Sequence, residues 1–152
     1  MGKQEAYRGA TSPFGFEDLE VYKAAREFRK RVFRLSKLSP ASERFGLTSQ
    51  MRDAALSITN NIPEGHGRYH WQDNTRFCRI ARGSLCEVVD DINTCIDEEY
   101  VKAEHAADLK SDAAKVLRLL NGYLAYLQTK QGEKGATKTG RSDSRDQVPR
   151  SP

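Results

Sequence analysis

The most regular apolar pattern in the chain lies between Glu17 and Leu38, in the stretch EDLEVYKAAREFRKRVFRLSKL. Its large apolar residues recur at alternating spacings of four and three, which places them on one side of an α-helix. These residues are Val21, Ala25, Phe28, Val32 and Leu35. The stretch therefore predicts an amphipathic helix that packs against other helices.

Three more stretches carry the same period, and none shows the alternation of a strand. They predict a second, a third and a fourth helix over residues 47–62, 73–98 and 104–130. Pro63 removes a backbone donor and should end or kink the second helix. Asp73 is the expected N-cap of the third helix, and Gly132 the expected stop after the fourth. Four such helices predict an all-α, antiparallel, up-down-up-down four-helix bundle.

The composition divides the 152 residues into three parts. Residues 1–15 are expected to form a flexible N-terminal arm and residues 16–130 the bundle. Residues 131–152 contain one large apolar side chain, Val148, and are expected to form a disordered basic tail. No apolar run is long enough for a membrane span or a signal peptide, so a cytoplasmic location is expected. The three cysteines form no C-x-x-C pair, which disfavours a disulfide framework or a zinc site.

The net charge of +4 is too small to indicate a partner by itself, but the charges are unevenly placed. Five cations in the first helix recur at spacings of three and four, on the side opposite the apolar stripe: Lys23, Arg26, Lys30, Arg34 and Lys37. A row of this kind is typical either of a solvated helix surface or of a face that contacts phosphates. Both readings stay open at this point.

A second basic region lies near the start of the third helix, where Arg76, Arg79 and Arg82 oppose the helix macrodipole. The preceding loop, residues 65–71, adds Arg68 and two aromatic residues, Tyr69 and Trp71. Cations beside exposed aromatic rings are suited to gripping phosphates and stacking on unpaired bases. The alternative is that the aromatic rings cap the core of the bundle.

Three large apolar residues of the first helix, Leu19, Tyr22 and Phe33, fall on a flank away from the main stripe. They predict either a contact between subunits or uneven packing inside one bundle.

No catalytic constellation is recognisable. His66 and His70 are four residues apart, but Gly65 and Gly67 place them in a predicted loop, so a metal site is not expected. The chain also lacks a phosphate-binding loop, a dinucleotide fingerprint and a nucleophile elbow. The sequence therefore predicts a protein that is not an enzyme and holds no cofactor.

Four motifs of the predicted bundle occur together and in order: FEDLEVY at 16–22, GLTSQMRDAA at 46–55, NIPEGHGR at 61–68 and ARGSLCE at 81–87. Through them the chain resembles the bacterial four-helix bundle family first noticed in intervening sequences of 23S ribosomal RNA genes. Its motif residues include Arg52, Asn61, Glu64, Gly65, Gly67, Gly83, Ser84 and Glu87. The chain departs from the family pattern at Thr59, where proline is common, and at Pro63, where alanine is usual.

The resemblance implies a ring-like homopentamer with a basic surface, no catalytic activity, and binding to nucleic acid. The same fold group includes the accessory variability determinant proteins of diversity-generating retroelements, which assist a reverse transcriptase. The run IARGSL at 80–85 is compatible with that branch.

The motif residues also have a structural interpretation. In an antiparallel hairpin centred near residues 69–70, Arg52 and Glu87 lie equally far from the turn. They are therefore predicted to form an ion pair, while Gly83 and Ser84 are predicted to let the helices approach closely.

These observations lead to one main functional hypothesis: an oligomeric accessory protein that binds RNA or an RNA/DNA intermediate, with a reverse transcriptase as a possible partner. Its predicted phosphate contacts are Lys23, Arg26, Arg29, Lys30, Arg34, Lys37, Arg68, Arg76, Arg79 and Arg82. The alternative is a protein-protein scaffold of the same fold that does not bind nucleic acid.

Overall fold

The computed structural model describes residues 12–139, with side chains through Gly135. Within that range it contains four α-helices and no strand, so the predicted all-α four-helix fold is confirmed. The helices are α1 (Glu20–Ser36), α2 (Leu47–Gly67), α3 (Trp71–Asp97) and α4 (Ala103–Thr139). A 3-10 turn, Gly15–Asp18, precedes α1, so the first helix begins three residues later than the sequence predicted.

The helices pack around one core with α1 and α3 on opposite corners. Both α1 and α3 pack along α2 and α4. Neighbouring helices are antiparallel: Arg29 of α1 contacts Thr59, whereas Ser36, further along α1, contacts Arg52, which comes earlier in α2. The up-down-up-down order of the prediction is therefore the observed one.

Each helix contributes a fully buried side chain to the centre of the core: Phe28, Ile58, Ile92 and Leu120. The five apolar residues that predicted the first helix are all buried as well. Burying a side chain of this size stabilises a fold by about 1.5–3 kcal/mol, so these stripes are what holds the helices together.

Of the two outcomes predicted at Pro63, an end or a kink of the helix, the end is not observed, because α2 continues to Gly67. A proline inside a helix removes one backbone donor and crowds the preceding turn, so other contacts must offset that cost. Ile62 and Gly65 flank Pro63 and are buried, so tertiary packing fixes the last turn. His66 consequently lies in α2 rather than in a loop.

One other local prediction is wrong. Asp73 is not the N-cap of α3, because the helix begins at Trp71 after His70, and no side chain caps it. Asn74 is buried and Trp71 packs on the core, so tertiary contacts start the helix two residues before Asp73.

The fourth helix is longer than predicted, because it passes Gly132 and Gly135 and ends at Thr139. A glycine inside a helix costs about 1 kcal/mol relative to alanine. This cost does not end the helix where side-chain contacts stabilise the next turn. Lys130 pairs with Glu133 there at 2.9 Å. The predicted disordered tail therefore loses residues 131–139 to the helix, and residues 1–11 and 140–152 lie outside the described range. Among the described helices, none has the length and hydropathy to cross a membrane.

Candidate nucleic-acid interface

The five cations predicted on the outer side of α1 form one exposed row. Lys23, Arg26, Lys30, Arg34 and Lys37 are all exposed, opposite the buried stripe of the same helix. From first to last the row is about 21 Å long at 1.5 Å per residue. Phosphates of one strand in B-form DNA repeat every 3.4 Å along the axis, so the α1 row is long enough for about six of them.

The carboxylates next to the α1 row leave it positive. Lys23 Nζ lies 3.2 Å from Glu20 Oε1 and Lys30 Nζ lies 2.6 Å from Glu27 Oε1. Exposed pairs like these contribute at most about 1 kcal/mol, so a phosphate can replace the carboxylate at little cost. In the described part of the chain, Arg26 makes no ion pair.

The pKa of Glu27 reports the local field of the α1 row. The hydrogen bond from Lys30 lowers this pKa, and the charges of Arg26 and Arg34 lower it further. A carboxylate with a lowered pKa stays ionised to lower pH because its charged form is stabilised by cations. The same cations would stabilise any other anion at this surface.

Arg29 does not belong to the α1 row, although the sequence suggested it as a phosphate contact. It is half-buried, and its guanidinium donates a hydrogen bond to Thr59 Oγ1 at 2.8 Å across the contact between α1 and α2. The threonine that replaces a common proline of the resembled family therefore accepts this bond. Arg29 therefore joins two helices.

The second basic region forms a separate surface on α3. Arg76, Arg79 and Arg82 are exposed. The guanidinium carbon of Arg68 lies 5.0 Å from the centre of the Phe77 ring, and that of Arg76 lies 5.9 Å from it. Arg68 and Arg76 thus lie beside the Phe77 ring, and Arg79 and Arg82 follow on the next turns of α3.

The α1 row and the α3 cations cannot act as one continuous site on a single protomer. The two helices occupy opposite corners of the bundle, and each set of cations points away from the core. Helix axes pack 8–10 Å apart and each helix is 10–12 Å wide, so the two outer faces are roughly 25 Å apart. The structure therefore divides the predicted site in two.

Residues 17–122 match the family model for the 23S rRNA-intervening sequence protein. The chain belongs to this family. The matched span contains the whole α1 row and the α3 cations, so both basic surfaces lie in the family region of the chain. The last turns of α4 lie beyond it.

One solved structure with a similar fold is a protein with unknown function from the S23 ribosomal protein family of Bacteroides thetaiotaomicron VPI-5482. It is 23% identical, the match covers 68% of this chain and 97% of that chain, and the TM-score is 0.63. This similarity supports the four-helix fold. No curated protein matches the chain.

The residues that suggested the family are mostly structural. The ion pair predicted between Arg52 and Glu87 is wrong, because Arg52 points toward α1. Its Nε donates to Ser36 Oγ at 2.8 Å, and its guanidinium carbon lies 5.4 Å from the centre of the Phe33 ring. The prediction failed because Arg52 lies on the side of α2 that faces α1.

Small and polar motif residues join α2 to α3. Ser84 is buried and its hydroxyl lies 2.7 Å from that of Ser57, as expected for a close approach. Asn61 acts within α2, where its Nδ2 donates to the carbonyl of Ser57 at 2.7 Å and to its hydroxyl at 3.0 Å, so it supports the serine that meets α3. Gly83, in contrast, is exposed, and a Cβ there would meet nothing within 4 Å, so the prediction of a packing role for it is wrong.

The two helices α2 and α3 also approach closely at Gly65. A Cβ at this position would lie 2.7 Å from Asn74 Oδ1 and 2.9 Å from Phe77 Cβ. Around it, Glu64 forms an ion pair with Arg68, and Gly67 has open space where a side chain would begin. Gly65 is thus the glycine of this motif that packing requires.

The off-stripe apolar residues Leu19, Tyr22 and Phe33 are partly buried and pack against the core of the same protomer. The Tyr22 ring meets the Phe16 ring edge-on at 5.0 Å. Packing within one bundle therefore accounts for their positions. Their role in a contact between subunits stays a prediction.

Two features of the surface have no counterpart in the sequence analysis. A cavity of about 280 Å³ between α1 and α4 is lined by Arg31, Arg34, Leu35, Leu38, His105 and Leu109. The second feature is a group of aromatic and lysine side chains near the end of α4, formed by Trp71, Tyr126, Lys130 and Lys134, of which only Lys134 lay in the predicted tail. Within the described residues, no group of three His, Cys, Asp or Glu side chains could hold a metal ion.

Proposed function

We propose that this protein is a non-enzymatic nucleic-acid-binding protein that contacts the phosphates of RNA through the α1 row. The observation that supports this most is the unbroken exposure of Lys23, Arg26, Lys30, Arg34 and Lys37 along one side of a single helix. Contacts of this kind read charge and shape rather than bases, so little sequence preference is expected.

A charge-reversal variant tests the proposal. Lys30→Glu/Arg34→Glu should bind a structured RNA about thirtyfold more weakly at 0.1 M salt, because each phosphate contact is worth about 0.7–0.9 log units there. The slope of log K against log salt should also fall by about 1.5–2. Gel-shift or anisotropy titrations over a range of salt concentrations measure both quantities.

The matched control is Lys115→Glu/Arg118→Glu, which makes the same change of net charge at two exposed residues of α4. It should bind almost as well as the parent protein if the α1 row is the site. Equal binding by Lys30→Glu/Arg34→Glu and the parent would refute the proposal. Equal loss in both variants would mean that net charge, and not this surface, governs binding.

Assembly and protein partners form the second part of the proposal. By resemblance to the family, the protein acts as a homo-oligomer, a pentamer, and assists a reverse transcriptase in a retroelement. Light scattering measures the mass, and a pull-down with and without nuclease tests the partner. A partner that stays bound after complete nuclease digestion would instead support the scaffold function, in which the bundle docks a protein without nucleic acid.

A further inference from the structure

Four side chains form an aromatic and cationic group where α4 leaves the bundle: Trp71, Tyr126, Lys130 and Lys134, called here the Tyr126 cluster. The Trp71 and Tyr126 rings meet edge-on, with their centres 6.3 Å apart. Lys130 Nζ lies 5.9 Å from the centre of the Tyr126 ring, and Lys134 Nζ lies 5.7 Å from that of Trp71. The three α4 members follow one another at intervals of four, so they share a face of the helix.

The Tyr126 ring has a stacking neighbour, Tyr123, that is bonded to α3. Tyr123 stacks on Tyr126 with an angle of 14° between the rings. The Tyr123 hydroxyl accepts a hydrogen bond from the buried Asn74 at 3.0 Å, so this ring is fixed to α3. Tyr126 itself remains 49% exposed. Tyr126 is thus a half-exposed ring whose stacking neighbour is anchored to α3.

Core packing explains the position of Trp71, which packs against the buried core, but not the other members of the Tyr126 cluster. Leu127 is the last buried residue in the described part of α4, and the residues after it are polar or glycine through Gly135. Trp71 Nε1 is buried without an acceptor among the described residues, although a buried indole N–H normally finds one. The half-exposed Tyr126 ring and the two lysines therefore lie at the edge of the core, beside Trp71.

An exposed aromatic ring beside lysine side chains suits single-stranded nucleic acid as a ligand. Bases of single-stranded nucleic acid stack on aromatic side chains, while lysines contact the adjoining phosphates. In a duplex the bases are stacked on each other and cannot reach such a ring. Lys130 Nζ also lies 2.9 Å from Glu133 Oε2, in an exposed pair that a phosphate can replace at little cost. Lys130 and Lys134 lie about 6 Å apart along the helix axis, so they can contact different phosphates of one strand.

We propose that the Tyr126 cluster binds single-stranded nucleic acid by stacking an unpaired base on Tyr126, with Lys130 and Lys134 on the flanking phosphates. This inference rests on the proposed function and adds its ligand class, an unpaired segment. The site is separate from the α1 row, which contacts phosphates of paired or unpaired strands alike.

The test uses the full chain and its own fluorescence. Trp71 is the only tryptophan, so its emission reports directly on the Tyr126 cluster. Uridine oligonucleotides of about twelve residues, the matching deoxyuridine oligonucleotides and a blunt RNA duplex are titrated, with binding followed in parallel by anisotropy. Both single strands should quench Trp71, and the duplex should bind without quenching it.

Three variants separate stacking from folding. Tyr126→Leu should weaken single-strand binding about tenfold, in line with the effect of removing one stacking ring. Tyr126→Phe keeps the ring and should bind like the parent. Lys134→Gln should lower the salt slope for single strands by about 0.7 and leave duplex binding unchanged. Circular dichroism of each variant confirms that the helices are intact.

The outcomes distinguish this inference from the proposed function. Two results would refute single-strand binding by the Tyr126 cluster: binding without a change in Trp71 emission, or Tyr126→Leu binding single strands as tightly as the parent. Neither result would contradict the proposed role of the α1 row. Failure of both single strands and duplex to bind would overturn the proposed function itself.

Discussion

Replacing Gly65 by alanine tests the packing of α2 on α3, because the added methyl group has no room. A Cβ there would lie 2.7 Å from Asn74 Oδ1 and 2.9 Å from Phe77 Cβ. Asn74 cannot move aside at low cost, since it is buried, donates to the Tyr123 hydroxyl and accepts from the Cys78 thiol. The methyl group must therefore push the helices apart or break these bonds.

Two opposing effects determine the size of the change. Overpacking a filled contact costs about 1–3 kcal/mol, whereas alanine is favoured over glycine in a helix by roughly 1 kcal/mol. We expect Gly65→Ala to lower the free energy of unfolding by up to about 2 kcal/mol. In a bundle of this size that corresponds to a decrease in Tm of up to about 10 °C.

Gly67→Ala is the matched control, because it lies in the same last turn of α2 and its Cβ would meet nothing within 4 Å. It gains the helix preference without the clash and should be at least as stable as the parent. Urea and thermal denaturation, followed by far-ultraviolet circular dichroism, measure all three proteins. Equal stability of Gly65→Ala and Gly67→Ala would refute the reasoning, since it would mean that α2 and α3 separate freely at this point.

Two further predictions concern polar groups between the helices. Arg52→Ala and Ser36→Ala should show a coupling of about 0.5–1.5 kcal/mol in a double-mutant cycle, because their side chains share a hydrogen bond, whereas Arg52→Ala and Glu87→Ala should be additive. A coupling confined to the second pair would contradict the observed orientation of Arg52. Burial raises the pKa of Asp91 to about 6, with Glu87 and Asp90 adding to the shift. Because this pKa is above the usual 3.8, the folded protein binds a proton more tightly than the unfolded chain, and the free energy of unfolding should fall as pH rises from about 4 to about 6. Asp91→Asn should abolish that fall. The variant should also be more stable than the parent at neutral pH. Denaturation of the parent and of Asp91→Asn between about pH 4 and neutral pH measures these free energies. A variant less stable than the parent at neutral pH would contradict the prediction that the buried Asp91 charge destabilises the fold.

The fold was predictable because the apolar period is strong in every helix. The first helix shows this best: each of its five stripe residues is buried, and the helix ends within two residues of the predicted end. Helix boundaries were less predictable, because tertiary contacts override local signals. Pro63 and Gly132 both read as stops, yet buried neighbours hold the turn around Pro63, and an ion pair supports the helix after Gly132.

Side-chain partners were the least predictable feature. A helical period tells which side of a helix faces the core, but not which neighbour lies on each flank. Arg52 could therefore be placed level with Glu87 along the hairpin while its guanidinium contacts Ser36 of α1 instead. Arg29 shows the same limit, since a cation near the outer row of α1 turned out to bind Thr59 between two helices.

The placement of the charges has a consequence for how nucleic acid can run over the protein. A single strand on the α1 row cannot also follow the α3 cations of the same protomer without turning around the bundle, because the two faces are roughly 25 Å apart. In the homo-oligomer proposed above, the two surfaces would become continuous if a neighbouring protomer placed its α3 face beside the α1 row. Arg79→Glu/Arg82→Glu should therefore weaken binding of long RNA to the assembled protein and leave a strand of about six nucleotides, the length of the α1 row, unaffected. Equal weakening of both lengths would mean that the α3 cations bind on their own.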